Sequence, residues 1–142
     1  MYTLVEKTLE ELYELVKHKV NLERIKTQSG KWIEVFPAPG EVLINIDFPE
    51  FTCLCPRTSQ PDFATITIKY IPKDWCIELK SWKFYLNSFR NEGHFHEEVV
   101  SLIERDIRLA IFPKKLTIIG DFNVRGGTHP LILSGDKLDF GD

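Results

Sequence analysis

Cys55-Pro-Arg-Thr-Ser-Gln-Pro-Asp-Phe-Ala-Thr-Ile-Thr-Ile-Lys-Tyr-Ile71 joins a loop bounded by two prolines to a run of alternating character. From Phe63 to Ile71 the period is two, the signature of a half-buried strand. Upstream, Val42, Ile44, Ile46 and Phe48 alternate in the same way after Glu41, which reads as a second strand. The segment from Cys55 to Asp62 therefore connects neighbouring strands, a position from which a rigid sheet presents reactive groups. Within it a thiol is followed seven residues later by a carboxylate. The thiol supplies a nucleophile, the acid supplies or takes its proton, and the prolines fix φ beside each. A cysteine near a turn is more often a small buried apolar side chain, so the surroundings must decide.

Working outward, Thr8 with Glu11 forms a capping-box pattern, and Leu9, Leu12, Tyr13, Val16 and Val20 recur at helical spacing. A first helix is expected over about Leu9 to Lys19. A third strand is expected around Trp75 to Leu79, followed by Ser81 as cap of a helix with Trp82, Tyr85, Leu86 and Phe89 on one face. After a turn near Asn91 and Gly93, a further helix carries Phe95, Val99, Leu102, Ile103, Ile107 and Ala110. Pro113 ends it. Lys115 to Val124 and Leu131 to Leu133 resume the strand pattern around an Arg125-Gly-Gly127 turn. Beyond the first helix the order is β, β, β, α, α, β, β, an α+β layout with a mostly antiparallel sheet, read as one domain over residues 1–142.

With 142 residues, 43% hydrophobic and 27% charged, the chain has the make-up of a soluble domain. The N-terminal residues lack the basic region and apolar run of a signal peptide, and no apolar stretch is long enough to cross a bilayer, so a cytoplasmic location is expected. Three cysteines, Cys53, Cys55 and Cys76, cannot all pair internally, in keeping with a reducing compartment. A net charge of −3 argues against bulk nucleic-acid binding but leaves room for a local basic pocket, with Lys80, Lys83, Arg90 and Arg125 as candidates. No metal is expected. Cys53-Leu-Cys55 has no second close Cys or His pair, and His94 and His96, if both helical, diverge by about 200°. His96 and Glu97 make better sense as a hydrogen-bonding pair at a helix N-terminus, where the dipole favours a carboxylate able to accept two N–H bonds from a guanine-like edge. Taken singly, Glu78, Lys80, Lys83 and Arg90 read as a solvated, charge-balanced face.

Together these segments resemble a known family. The Cys55 to Ile68 stretch, Glu78-Leu-Lys-Ser-Trp-Lys-Phe-Tyr-Leu-Asn-Ser-Phe-Arg-Asn91, Phe95-His-Glu97 and Arg125-Gly-Gly127 resemble, in order and spacing, the NADPH-dependent 7-cyano-7-deazaguanine reductases of queuosine biosynthesis, in their short single-module form. The resemblance implies a tunnelling fold, an antiparallel sheet with two helices on one face. Its subunits assemble into a barrel, in the compact branch a decamer of two pentameric rings, with active sites between subunits.

It further implies that Cys55 attacks the nitrile carbon to form a thioimide, that Asp62 handles the proton and that His96 assists. Ile77, Glu78, Leu79, His96 and Glu97 would hold the substrate. Leu79, Lys80, Lys83, Arg125 and Gly126 would contact NADPH, consumed twice per turnover, with no metal. That cofactor role has no Rossmann fingerprint behind it and comes from the resemblance alone. Ser59 stands where the family commonly has Gly, which matters if that position requires φ > 0. Thr128-His-Pro130 stands where an apolar strand usually begins, which bears on the placing of the last strand. The alternatives are a related amidinotransferase acting on tRNA, whose relatives lack the Glu78 to Lys83 type of motif, and a non-catalytic purine-binding module.

Overall fold

The computed structural model describes residues 8–11 and 21–137. Thr8 to Glu11 are helical, and the remainder of the expected first helix lies outside the described residues. The elements that follow are β1 (Glu23–Lys26), β2 (Trp32–Pro37), β3 (Ile44–Leu54), β4 (Pro61–Ile71), β5 (Trp75–Ile77), α1 (Leu79–Asn87), α2 (His96–Ile111), β6 (Lys115–Phe122) and β7 (Leu131–Gly135).

These strands form two antiparallel sheets, ordered β1-β2-β5 and β3-β4-β6-β7. The expected single sheet with three strands before the helices is corrected on both counts, because the β1–β2 hairpin was not legible. Trp32 and Phe36 put large apolar groups on the solvent side of β2 while Ile33 and Val35 are buried, so apolar and polar residues do not alternate there. The α+β class stands, with α1 packed across β2 and β3 and α2 packed across β6 and β7.

On β4 the alternation decides burial as expected. Ala64, Ile66, Ile68 and Tyr70 are buried against Val99, Val100, Ile103 and Ile107 of α2 and Leu116, Ile118 and Phe122 of β6. Full burial of each large aliphatic side chain contributes about 1.5–3 kcal/mol, so this layer fixes the register of β4. Asp62 lies on the same parity, and the core face of β4 therefore ends in a buried carboxylate.

Strand β3 begins at Ile44 and runs to Leu54, beyond the expected Phe48, through a bulge between Phe48 and Phe51. The extra residue reverses the parity. Ile44, Ile46 and Phe48 face the core before it, and Phe51 and Cys53 face the core after it. Without the bulge Cys53 would point outward.

The third expected strand stops at Ile77 rather than Leu79, because Glu78 and not Ser81 caps α1. Glu78 Oε1 accepts the Lys80 N–H at 2.9 Å and Oε2 the Ser81 N–H at 2.7 Å, while the Ser81 hydroxyl accepts the Glu34 N–H at 2.6 Å. Trp82 stacks on Tyr85 at 5.5 Å, and Tyr85 meets Phe89 edge-on. The Tyr85 hydroxyl donates to Asp106 of α2, which also accepts the backbone and hydroxyl of Ser29, so one buried carboxylate ties the β1–β2 turn to both helices.

Gly120 lies directly under α2. A Cβ there would meet Val100 Cγ2 at 2.5 Å and Phe122 Cε2 at 2.9 Å. Gly120→Ala is expected to destabilise the protein by about 1–3 kcal/mol, the range for overpacking a filled core, as read from denaturant midpoints.

Among the described residues no helix is long and apolar enough to cross a membrane.

Candidate active site

The β3–β4 connection is a tight loop closed by backbone hydrogen bonds. The Cys55 N–H donates to Gln60 O at 2.8 Å, and the Ser59 N–H returns to Cys55 O at 2.9 Å. Closing the loop so soon requires one left-handed residue, and Ser59 supplies it at φ 59°. The position that the sequence singled out as glycine-like does need φ > 0, and serine adopts it.

Turned this way, the loop surrounds the Cys55 sulfur with donors. The Thr58 hydroxyl, and then the backbone N–H groups of Arg57 and Thr58, bring the thiol below its ordinary pKa, more than offsetting desolvation and the Asp62 charge. Cys53, two residues earlier, is buried, and burial together with the Asp62 charge pushes its thiol up to about 12. Burial also raises the Cys76 thiol. Of the three thiols only Cys55 is both accessible and activated. Thr58→Val removes the largest of the lowering contributions. The pH midpoint of Cys55 alkylation by iodoacetamide is then expected to move up toward that of a free thiol, and an unchanged midpoint would contradict the assignment.

Asp62 stands opposite Cys53 in the β3–β4 register and is only 7% exposed. Its Oδ1 accepts from Arg125 Nη1, and its Oδ2 lies 3.2 Å from His96 Nε2. His96 opens α2, and its ring stacks on Phe122 at 3.8 Å with an interplanar angle of 10°. The expected pairing of His96 with Glu97 is thus replaced by His96 with Asp62. Successive residues of a helical first turn point in different directions, and Glu97 projects outward, exposed. Glu98 Oε1, one residue on, accepts the Phe95 N–H at 3.1 Å.

A clamp holds α2 beside Cys55. Leu54 N–H donates to Glu92 O at 2.9 Å and His94 N–H to Leu54 O at 3.0 Å, bridging the end of β3 to the loop before α2. The Glu92 carboxylate in turn lies 2.5 Å from Lys31 Nζ and 2.9 Å from His94 Nε2. Burial works to raise the Glu92 carboxyl, but the hydrogen bonds from His94 and Lys31 outweigh it and hold it below the usual range.

Arg125 reaches Asp62 from a two-residue hairpin turn. Arg125 and Thr128 exchange backbone hydrogen bonds of 2.9 and 3.1 Å, and Gly126 and Gly127 both have positive φ, 58° and 76°. A Cβ at either glycine would meet nothing within 4 Å, so backbone conformation alone calls for glycine. The unusual Thr128-His-Pro130 segment leaves the last strand in place. Pro130 O accepts the Phe122 N–H at 3.0 Å, His129 pairs with Asp121 at 2.5 Å, and Leu131 stands opposite Asp121.

Cys55, Asp62, Phe95, His96, Glu97 and Arg125 share the lining of one pocket of about 380 Å³, within the range of small-molecule sites. Phe95 and Thr58 were not read as site residues. The helical spacing places Phe95 on the apolar face of α2, yet it is the residue before the helix and half exposed. Glu78 and Lys80 line a different hollow of about 740 Å³ with Leu22, Glu34, Phe36 and Pro37. Ile77 is buried, its N–H donating to the Tyr70 hydroxyl at 3.0 Å, and Leu79 and Lys83 are exposed near the start of α1. The expected site residues therefore fall into two groups, and the candidate cations do not gather into one basic pocket. Among the described residues no three His, Cys, Asp or Glu side chains are grouped to hold a metal ion.

Residues 61–137 match the model of a family described as QueF-like protein. The chain is 52% identical over 109 residues to the NADPH-dependent 7-cyano-7-deazaguanine reductase of Thermomicrobium roseum, covering 75% of this chain and 85% of that protein. It is 50% identical over 109 residues to the Anaeromyxobacter sp. (strain K) protein of the same name, covering 75% and 89%. The protein of that name from Thiobacillus denitrificans is 46% identical over 113 residues, covering 78% and 81%. Among solved structures, the archaeosine synthase QueF-Like in its apo form superposes with a TM-score of 0.58 at 20% identity, covering 69% of this chain and 94% of that one. That likeness agrees with a tunnelling fold.

Proposed function

We propose, because this chain belongs to the QueF-like family of NADPH-dependent 7-cyano-7-deazaguanine reductases, that it reduces the nitrile of 7-cyano-7-deazaguanine to the aminomethyl group through a thioimide on Cys55. One observation carries the reading: an activated, accessible thiol shares a pocket with a buried aspartate paired to His96 and Arg125 and with an outward-facing glutamate.

Cys55 bonds to the nitrile carbon, and the π electrons pass to nitrogen. Asp62 takes the thiol proton and delivers it to that nitrogen, giving the neutral thioimide. His96 stands against Asp62 and assists the transfer. Glu97, at the second position of α2, accepts the amide and amine N–H groups of the pyrimidine edge, and the helix dipole favours its charge. NADPH, when bound, supplies one hydride at each of two reductive stages. Between them the hemithioaminal expels the thiol, and the proton moves from nitrogen to sulfur.

The residues assigned to the cofactor suit an anionic dinucleotide. Lys80 and Lys83 are exposed and make no ion pair among the described residues, and the Gly126 backbone is open to close approach. Ile77, Glu78 and Leu79 form the second wall of the substrate site. Within one chain Glu78 and Cys55 line separate hollows, which supports a site completed by a neighbouring subunit. A ring assembly, a decamer of two pentamers in this reading, brings the two groups together and pairs the open sheet edges at β3 and β7.

The decisive assay follows NADPH absorbance with and without 7-cyano-7-deazaguanine. The expected result is oxidation only in the presence of the nitrile, with two NADPH consumed per amine formed. An adduct without NADPH oxidation would favour amidine transfer to tRNA, and base binding without an adduct would favour a non-catalytic module.

A further inference from the structure

Asp62, His96 and Arg125 line two hollows at once. One is the pocket with Cys55, and the other is a separate hollow of about 190 Å³ walled by Pro61, Phe63, Phe122, Asn123 and Val124. The cluster is thus the partition between them. Its members differ in exposure: His96 is pressed flat on Phe122, whereas Arg125 is 47% exposed and reaches Asp62 from its glycine turn. A base seated against Cys55 and Glu97 cuts off the first approach of water to Asp62. The rear hollow is then the second opening onto Asp62, and with the cofactor set against Gly126 and the outer face of Arg125 its mouth is left to Asn123 and Val124.

We propose that the rear hollow is the proton entry of the reaction, with Arg125 as its door and Asn123 and Val124 at its mouth. The inference rests on the reductase reading above. Proton accounting makes it specific. Capture of the nitrile moves the thiol's own proton to nitrogen, so it consumes none from water. Each of the two reductive stages adds one hydride and one proton, while loss of the thiol between them is internal. The proton left on Cys55 by that loss can serve the second stage, so at least one proton per turnover must reach Asp62 after the front pocket has been filled.

Val124 is 66% exposed and outside the reacting cluster, which makes Val124→Trp a steric plug, and Asn123→Leu removes the polar atoms at the same mouth. Both variants are expected to form the adduct, followed by mass spectrometry without NADPH, at the native rate. At saturating NADPH, with the KM for NADPH unchanged, steady-state turnover is expected to fall about tenfold, with an increased solvent deuterium isotope effect and partial rescue by imidazole buffer; a fall carried by a raised KM for NADPH instead overturns the proposal. Unchanged turnover and isotope effect in both variants overturn the proposal, and so does adduct formation slowed as much as turnover, which would mean damage to the front pocket. A native protein that captures the nitrile but oxidises no NADPH overturns the reductase reading, and the proposal with it.

Discussion

Cys55→Ala is expected to eliminate both the covalent adduct and NADPH oxidation, lowering turnover by more than about 10⁴-fold, as for removal of a nucleophile from a catalytic unit. The fold should survive, because Cys55 sits in the exposed β3–β4 loop and its backbone hydrogen bonds with Gln60 and Ser59 do not need the side chain. Cys55→Ser tests the chemistry more narrowly, since the loop donors that stabilise a thiolate cannot make a hydroxyl ionise near neutrality. Persistence of the adduct in Cys55→Ala would sink the nucleophile assignment. Cys53 is the obvious substitute in sequence, but its buried thiol, raised to about 12, gives no physical basis for one.

Asp62→Asn is expected to slow adduct formation and turnover by about 10²–10⁴-fold, the usual worth of a positioned acid–base group, with little change in equilibrium binding of the base. The amide keeps the shape of the carboxylate but accepts no proton from the thiol and leaves Arg125 without its charge partner. Some loss of stability should accompany it, measurable by thermal melting, because a charged partner is removed at a site only 7% exposed. Adduct formation within twofold of the native rate would show that the proton travels elsewhere, leaving His96 as the nearest candidate. Binding lost in parallel with rate would indicate collapse of the pocket. The variant is therefore read with Gly120→Ala as a reference, since that change disturbs Phe122 beneath His96 without altering the reacting groups.

Much of the fold was legible because local pattern and burial coincide. Alternation on β4 and 3.6-residue periodicity on α2 survive into the core, where Ile66, Ile68, Val99 and Ile103 are all buried. The β1–β2 hairpin was not legible, because Trp32 and Phe36 sit on the outer face of β2 and erase the polar half of the pattern. The cap of α1 was misplaced for a related reason. Serine is the favoured cap in sequence, and only the nearby β2 backbone, which claims the Ser81 hydroxyl through Glu34, leaves the role to Glu78.

By itself the sequence determined which residues are candidates for the chemistry: a cysteine and an aspartate seven apart between prolines, a His–Glu pair opening a helix, and a double-glycine turn behind an arginine. Spacing along the chain suffices there, because loops and helix starts are set by neighbours in sequence. Which thiol is accessible, and what Asp62 touches, only the tertiary structure decided. The bulge in β3 turns Cys53 into the core, the left-handed Ser59 wraps donors around Cys55, and the β6–β7 turn carries Arg125 across 63 residues to Asp62. Those contacts depend on register and strand parity across the sheet, and a one-residue slip, invisible in composition or spacing, would point each of these side chains to the opposite face.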